Sequence, residues 1–133
     1  MIDWSTEWPQ IQAWSAKRGV DPFFIAAIRK AENGGPGREF GVLNVGADTY
    51  DDQVRVATRT IAGLLSGYLT NPCSALGEVN GMKRVQYTPA FLKAVQEHWA
   101  PIGVANDPTN LNSNWLTDVT DAYRDFLAIG HPA

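Results

Sequence analysis

Cysteine is nearly absent from this chain: Cys73 is the only one in 133 residues. A disulfide within the chain is therefore excluded, and one thiol with two scattered histidines gives no ligand set for zinc. No metal and no cofactor is expected. Long apolar runs are also missing, and nothing approaches the ~20 continuous apolar residues that span a bilayer, so no membrane insertion is expected. Basic residues are few, 11 Lys and Arg against 14 Asp and Glu, for a formal net charge of −3. Broad nucleic-acid binding, which relies on clustered Lys and Arg, is not expected from such a chain. The same charge gives no electrostatic help toward an anionic surface. The opening Met-Ile-Asp-Trp-Ser-Thr-Glu-Trp is acidic and polar, unlike a Sec signal peptide. There is no repeat, linker or low-complexity stretch, so residues 1–133 are read as one domain, expected to be a monomer.

What the chain does have is aromatic residues (five Trp, five Phe, four Tyr) and helical periodicity. Ser5 or Thr6 is positioned to cap a first helix that runs to about Arg18 and stops at Gly19, with Trp8, Ile11, Ala13 and Trp14 as its inward residues. Thr49 to Asp52 resembles a capping box that opens a helix over about 51–69, with Val54, Ala57, Ile61, Leu64, Leu65 and Tyr68 on one side. Asn71-Pro72 ends it, and a short helix around 73–79 is expected before an Asn80-Gly81 turn. Thr88-Pro89 opens a helix carrying Phe91, Leu92, Val95 and Trp99, and Pro101 closes it. The last helix buries Trp115, Leu116, Val119, Tyr123, Phe126 and Leu127. The fold class is thus mainly α, with five or six helices.

The most informative stretch is Asp21 to Asn44, DPFFIAAIRKAENGGPGREFGVLN. Asp21 suits a helix N-cap, Pro22 suits the first helical position, and Asn33-Gly34-Gly35-Pro36-Gly37 ends the helix after Glu32. At roughly 100° per residue, Ala27, Ala31, Phe24, Ile28 and Ile25 share one arc, and Glu32 falls between Ile28 and Ile25. A carboxylate on an apolar face, at the negative end of a helix, is pushed toward its protonated form. Such a group holds a proton for a leaving group near neutral pH. The loop that follows, 37–48, reads as irregular, allowing at most a small hairpin.

The segment FFIAAIRKAE ending in Glu32, then Asn33, then Gly41-Val42-Leu43-Asn44, resembles the lysozyme-like superfamily, especially goose-type lysozymes, soluble lytic transglycosylases and small phage muramidases. In that group a helix ends in the catalytic Glu and a loop leads to a Gly-Leu-Met-Gln-like turn. The run from Trp99 to Asn112, followed by Trp115, is similar to the C-terminal part of phage-encoded members, so the likeness covers roughly residues 20–127. The resemblance implies a lysozyme-like domain with a glycine-rich loop or small irregular hairpin after the catalytic helix. It also implies cleavage of the β-1,4 bond between N-acetylmuramic acid and N-acetylglucosamine, with Glu32 as general acid and peptidoglycan as the partner. Synthesis in the cytoplasm without a signal peptide, and delivery by a holin or by a virion, follow for a phage endolysin or virion-associated lysin. The alternative is a non-catalytic virion or wall-binding module of the same shape, which has no need of an acid at position 32.

Candidate second carboxylates are Glu39 and Asp48, both in the loop after the helix. Asp51 and Asp52 read as helix-start residues, and Asp107 as part of a turn. Tyr50, Tyr87 and Trp99 are candidates to stack on sugar rings, and Asn44 and Asn106 to hydrogen-bond acetamido groups. Asn33 can serve as a helix C-cap, while His98 and His131 read as a helix-end and a tail residue. Lytic transglycosylases need a single Glu, because the substrate's own 6-hydroxyl attacks the anomeric carbon; hydrolases of this type use two carboxylates. The residues leave both reactions open.

Overall fold

A computed structural model describes residues 1–43, 46–69, 75–79, 82–99 and 114–133. These form five helices and one strand pair: α1 (Trp4–Arg18), α2 (Pro22–Glu32), α3 (Tyr50–Leu69), β1 (Ala75–Val79), β2 (Met82–Gln86), α4 (Pro89–Trp99) and α5 (Trp115–Ile129). The chain is mainly helical, and no helix of the described residues is long and apolar enough to cross a membrane.

Each helix begins and ends for a local chemical reason. Asp21 accepts a hydrogen bond from the Phe23 N–H at 2.9 Å, and Pro22 occupies the first position of α2. Asn33 closes α2 in the left-handed conformation, φ 45°, with its N–H on the Arg29 carbonyl. Thr49 Oγ1 accepts from the Asp52 N–H (3.1 Å) and Thr88 Oγ1 from the Phe91 N–H (3.1 Å), the capping roles their sequence positions suggest. Gly19 and Gly130 end α1 and α5 with left-handed backbone.

Three expectations are corrected. The start of α1 is Asp3, whose carboxylate takes the Ser5 and Thr6 hydroxyls at 2.6 and 2.8 Å; neither Ser5 nor Thr6 is the cap. On the same helix Ala13 is exposed and Ser15 is buried, because Ser15 lies one turn beyond Ile11 on the packed side. Of the helix expected around 73–79, the described part, Ala75–Val79, is instead β1, antiparallel to β2 in a register running from Ala75↔Gln86 to Val79↔Met82. That register leaves two residues between the paired ends, and in the sequence these are Asn-Gly, the strongest short-range hairpin signal. The loop after α2 carries no strand among its described residues.

The core is built around α2. Every residue from Pro22 to Arg29 is buried, so this helix is covered on all sides rather than along one arc. It packs on α5 and α1, and Phe24 meets Tyr87, Phe91 and Tyr123 at ring distances of 4.6, 6.3 and 5.4 Å. Burying a side chain such as Phe24 or Ile28 stabilises by about 1.5–3 kcal/mol each. A helix anchored this firmly gives its last residue, Glu32, a fixed base.

Candidate active site

Glu32 is half-buried at the C-terminal end of α2. Its Oε1 accepts a hydrogen bond from the Trp115 indole N–H at 3.0 Å, across 83 residues of sequence. Its Oε2 lies against the backbone of Gly41, where a Cβ would sit 2.4 Å from that oxygen and 2.7 Å from the carboxyl carbon. Gly41 also has φ +69°, so glycine is required there for two separate reasons. Burial pushes the Glu32 carboxyl above its ordinary pKa, and the Trp115 hydrogen bond pulls it partly back. With Oε1 facing a donor, a proton on the neutral acid resides on Oε2.

Trp115 belongs to an aromatic wall. Its ring stacks on Trp99 at 6.2 Å with an interplanar angle of 11°, and the Trp99 indole N–H donates to the Phe40 carbonyl at 2.9 Å. Phe40-Gly41 therefore reaches the carboxyl twice, directly through Gly41 and indirectly through Trp99 and Trp115.

The loop is held in place by a residue that sequence reasoning missed. Gln53, fully buried in the first turn of α3, accepts from the N–H groups of Phe40 and Val42, both at 3.2 Å. It donates to the carbonyls of Val42 (2.9 Å) and Ala47 (2.6 Å). Its one available signal is a polar amide one turn before Ala57, on the inward side of α3. Arg29 is the second such residue. Buried on α2, it pairs with Glu7 of α1 through two contacts, 2.6 and 3.1 Å, and reaches the Glu39 carbonyl at 3.4 Å. From sequence Trp115 reads only as part of a buried stripe; its tie to Glu32 has no signal in local sequence.

The candidate residues divide clearly. Trp99 is brought to Glu32 through Trp115. The Glu39 side chain lies on the Arg29–Glu7–Tyr50 side, with one carboxylate oxygen buried and unpartnered among the described residues. Asp48 is exposed and paired with Arg38 at 3.1 Å. Tyr50 packs on Phe40 at 6.0 Å, and burial, then the adjacent Glu7, holds its phenol far above the ordinary range. Tyr87 stacks on Phe91 at 5.0 Å inside the aromatic core. Asn44 and Asn106 lie outside the described residues. In the first turn of α3, Asp51 accepts from the Trp14 indole of α1 (2.8 Å) and Asp52 pairs with Arg55 (3.2 Å).

A groove of about 290 Å³ lies elsewhere on the α2–α5 face, lined by Lys30, Ala31, Asp118, Asp121, Ala122 and Asp125. Among the described residues no group of three or more His, Cys, Asp or Glu side chains could hold a metal ion.

Chemically, the site is a single carboxyl at the end of a packed helix, its pKa raised by burial, with an N–H donor at one oxygen and two indoles forming a wall. Such a group can donate a proton and then be stabilised as the carboxylate by the indole N–H. No family model, no curated protein and no solved structure matches the chain.

Proposed function

We propose that this protein cleaves the glycan strands of peptidoglycan at the β-1,4 bond between N-acetylmuramic acid and N-acetylglucosamine, as a lysozyme-like enzyme with Glu32 as general acid. The observation that carries this reading is the Glu32 carboxyl itself: raised in pKa by burial, fixed at the end of a fully packed helix, and engaged by Trp115 at one oxygen. The sequence resemblance supplies the substrate class and the setting of a phage endolysin or virion-associated lysin.

Within this reading the one-carboxylate route fits best, because Asp48 is paired with Arg38 and Glu39 lies toward Tyr50. Neutral Glu32 gives its Oε2 proton to the glycosidic oxygen as the C1–O bond breaks. The resulting carboxylate, stabilised by the Trp115 N–H, takes the proton from the substrate's 6-hydroxyl as that oxygen bonds to C1. The product is a 1,6-anhydro end, and Glu32 is returned to its neutral form.

The test is lysis. Purified protein added to chloroform-treated Gram-negative cells is expected to reduce turbidity, and folded Glu32→Gln to leave it unchanged. Equal lysis by both proteins refutes the assignment.

A further inference from the structure

We propose that Gln53 is a positioning residue, which holds the carboxyl of Glu32 away from water by fastening the Phe40–Val42 segment against it. One buried amide satisfies four backbone groups of Phe40, Val42 and Ala47, two N–H and two C=O, at 2.6–3.2 Å. Three of its bonds flank Gly41, one on Phe40 and two on Val42, and Gly41 is the residue in contact with Glu32 Oε2. The carbonyl of Phe40 in turn takes the Trp99 indole, whose ring stacks on the Trp115 that hydrogen-bonds Glu32 Oε1. Both oxygens of the carboxyl are thus placed by a segment whose seat is Gln53.

The charged and titratable groups on the surrounding elements are directed elsewhere. Arg38 pairs with Asp48, Lys30 reaches the Ala133 carbonyl, and Glu39 lies toward Tyr50. His98 packs edge-on to Trp99, and Asp118 faces the α2–α5 groove. Burial is the main influence on Glu32, and Gly41, held between Phe40 and Val42, lies against its carboxyl.

Only the catalytic consequence rests on the function proposed above; the clamp can be read on the free protein. In protein labelled with carboxyl-13C glutamate, the Glu32 resonance of Gln53→Met is expected to titrate at lower pH than in wild type, because water reaches the carboxyl. On peptidoglycan the same variant should lose about 100-fold in kcat with KM nearly unchanged, as for a misplaced reacting group. A folded Gln53→Met whose Glu32 keeps the wild-type midpoint overturns the proposal. If Gln53→Met does not fold, two other measurements decide. The wild-type Gln53 amide protons should exchange slowly with solvent, and Trp99→Phe, which releases the Phe40 carbonyl, should lower the Glu32 midpoint. Fast exchange or an unmoved midpoint overturns it. Should the wild type cleave no glycan at all, the proposed reaction fails while the titration still decides the clamp.

Discussion

Replacing Gly41 by alanine tests the geometry of the site with one methyl group. The added Cβ would fall 2.4 Å from Glu32 Oε2, a separation two such atoms cannot hold. The carboxyl is the far end of a side chain, so it must swing away and give up its 3.0 Å bond to Trp115. Two costs follow. A non-glycine residue at φ +69° is strained by about 1–2 kcal/mol, and the lost hydrogen bond costs about 1 kcal/mol. The sum, about 2–3 kcal/mol, corresponds to a fall in Tm of roughly 7–11 °C at ~2.1 cal/mol/K per residue. A displacement of about 1 Å at the reacting group costs about 100-fold in rate. Gly19→Ala is the control, since Gly19 has φ +70° and nothing within 4 Å of the added methyl, far from the site. It should show the strain alone, with glycan cleavage unchanged. Thermal melts and initial rates on purified peptidoglycan measure both. If Gly41→Ala loses no more stability than Gly19→Ala and keeps its rate, the close approach at Glu32 does not matter.

The pH dependence follows from the raised Glu32 pKa. The rate should decline as pH rises through that pKa, and Trp115→Phe, which removes the lowering hydrogen bond, should move the decline to higher pH. A rate flat from about pH 5 to 9 contradicts an acid at this site. Because the folded-state pKa lies above the unfolded one, this group's contribution to stability is fully present below the unfolded pKa and lost as pH rises through the folded pKa. Chemical denaturation should therefore show Glu32→Gln stabilising the fold most at high pH. Glu39→Gln and Asp48→Asn should each cost far less activity than Glu32→Gln, and 1,6-anhydro-muramic acid ends should appear by mass spectrometry. Ordinary reducing ends, with either substitution as damaging as that at Glu32, would identify a two-carboxylate hydrolase.

The helices were legible because periodicity and punctuation agree. The inward residues of α3, α4 and α5 recur at spacings of three and four, and Gly19 and Asn33 stand where helices end. The strand pair was not, since Ala75-Leu76-Gly77-Glu78-Val79 contains good helix formers and lacks alternation; pairing with β2 overrides local preference. Glu32 stood out because a carboxylate on an apolar arc conflicts with its surroundings. Its partners could not, because Trp115 is 83 residues away and Gln53 acts on a loop whose course no local propensity encodes. Tyr50 and Tyr87 show the opposite failure. An aromatic ring reads alike as a sugar platform or as core, and only their contacts with Phe40, Phe24 and Phe91 reveal packing.

The most direct test of the central claim is a digest of purified sacculi by wild type and by Glu32→Gln, with soluble muropeptides identified by mass spectrometry and folding of both proteins checked by circular dichroism. Gln matches the shape of Glu and still accepts from the Trp115 N–H, but cannot serve as an acid. The account predicts muropeptides from the wild type and a loss of several orders of magnitude in the variant, with stability held or raised. Muropeptide release by folded Glu32→Gln at the wild-type rate, or none from the wild type, would contradict it.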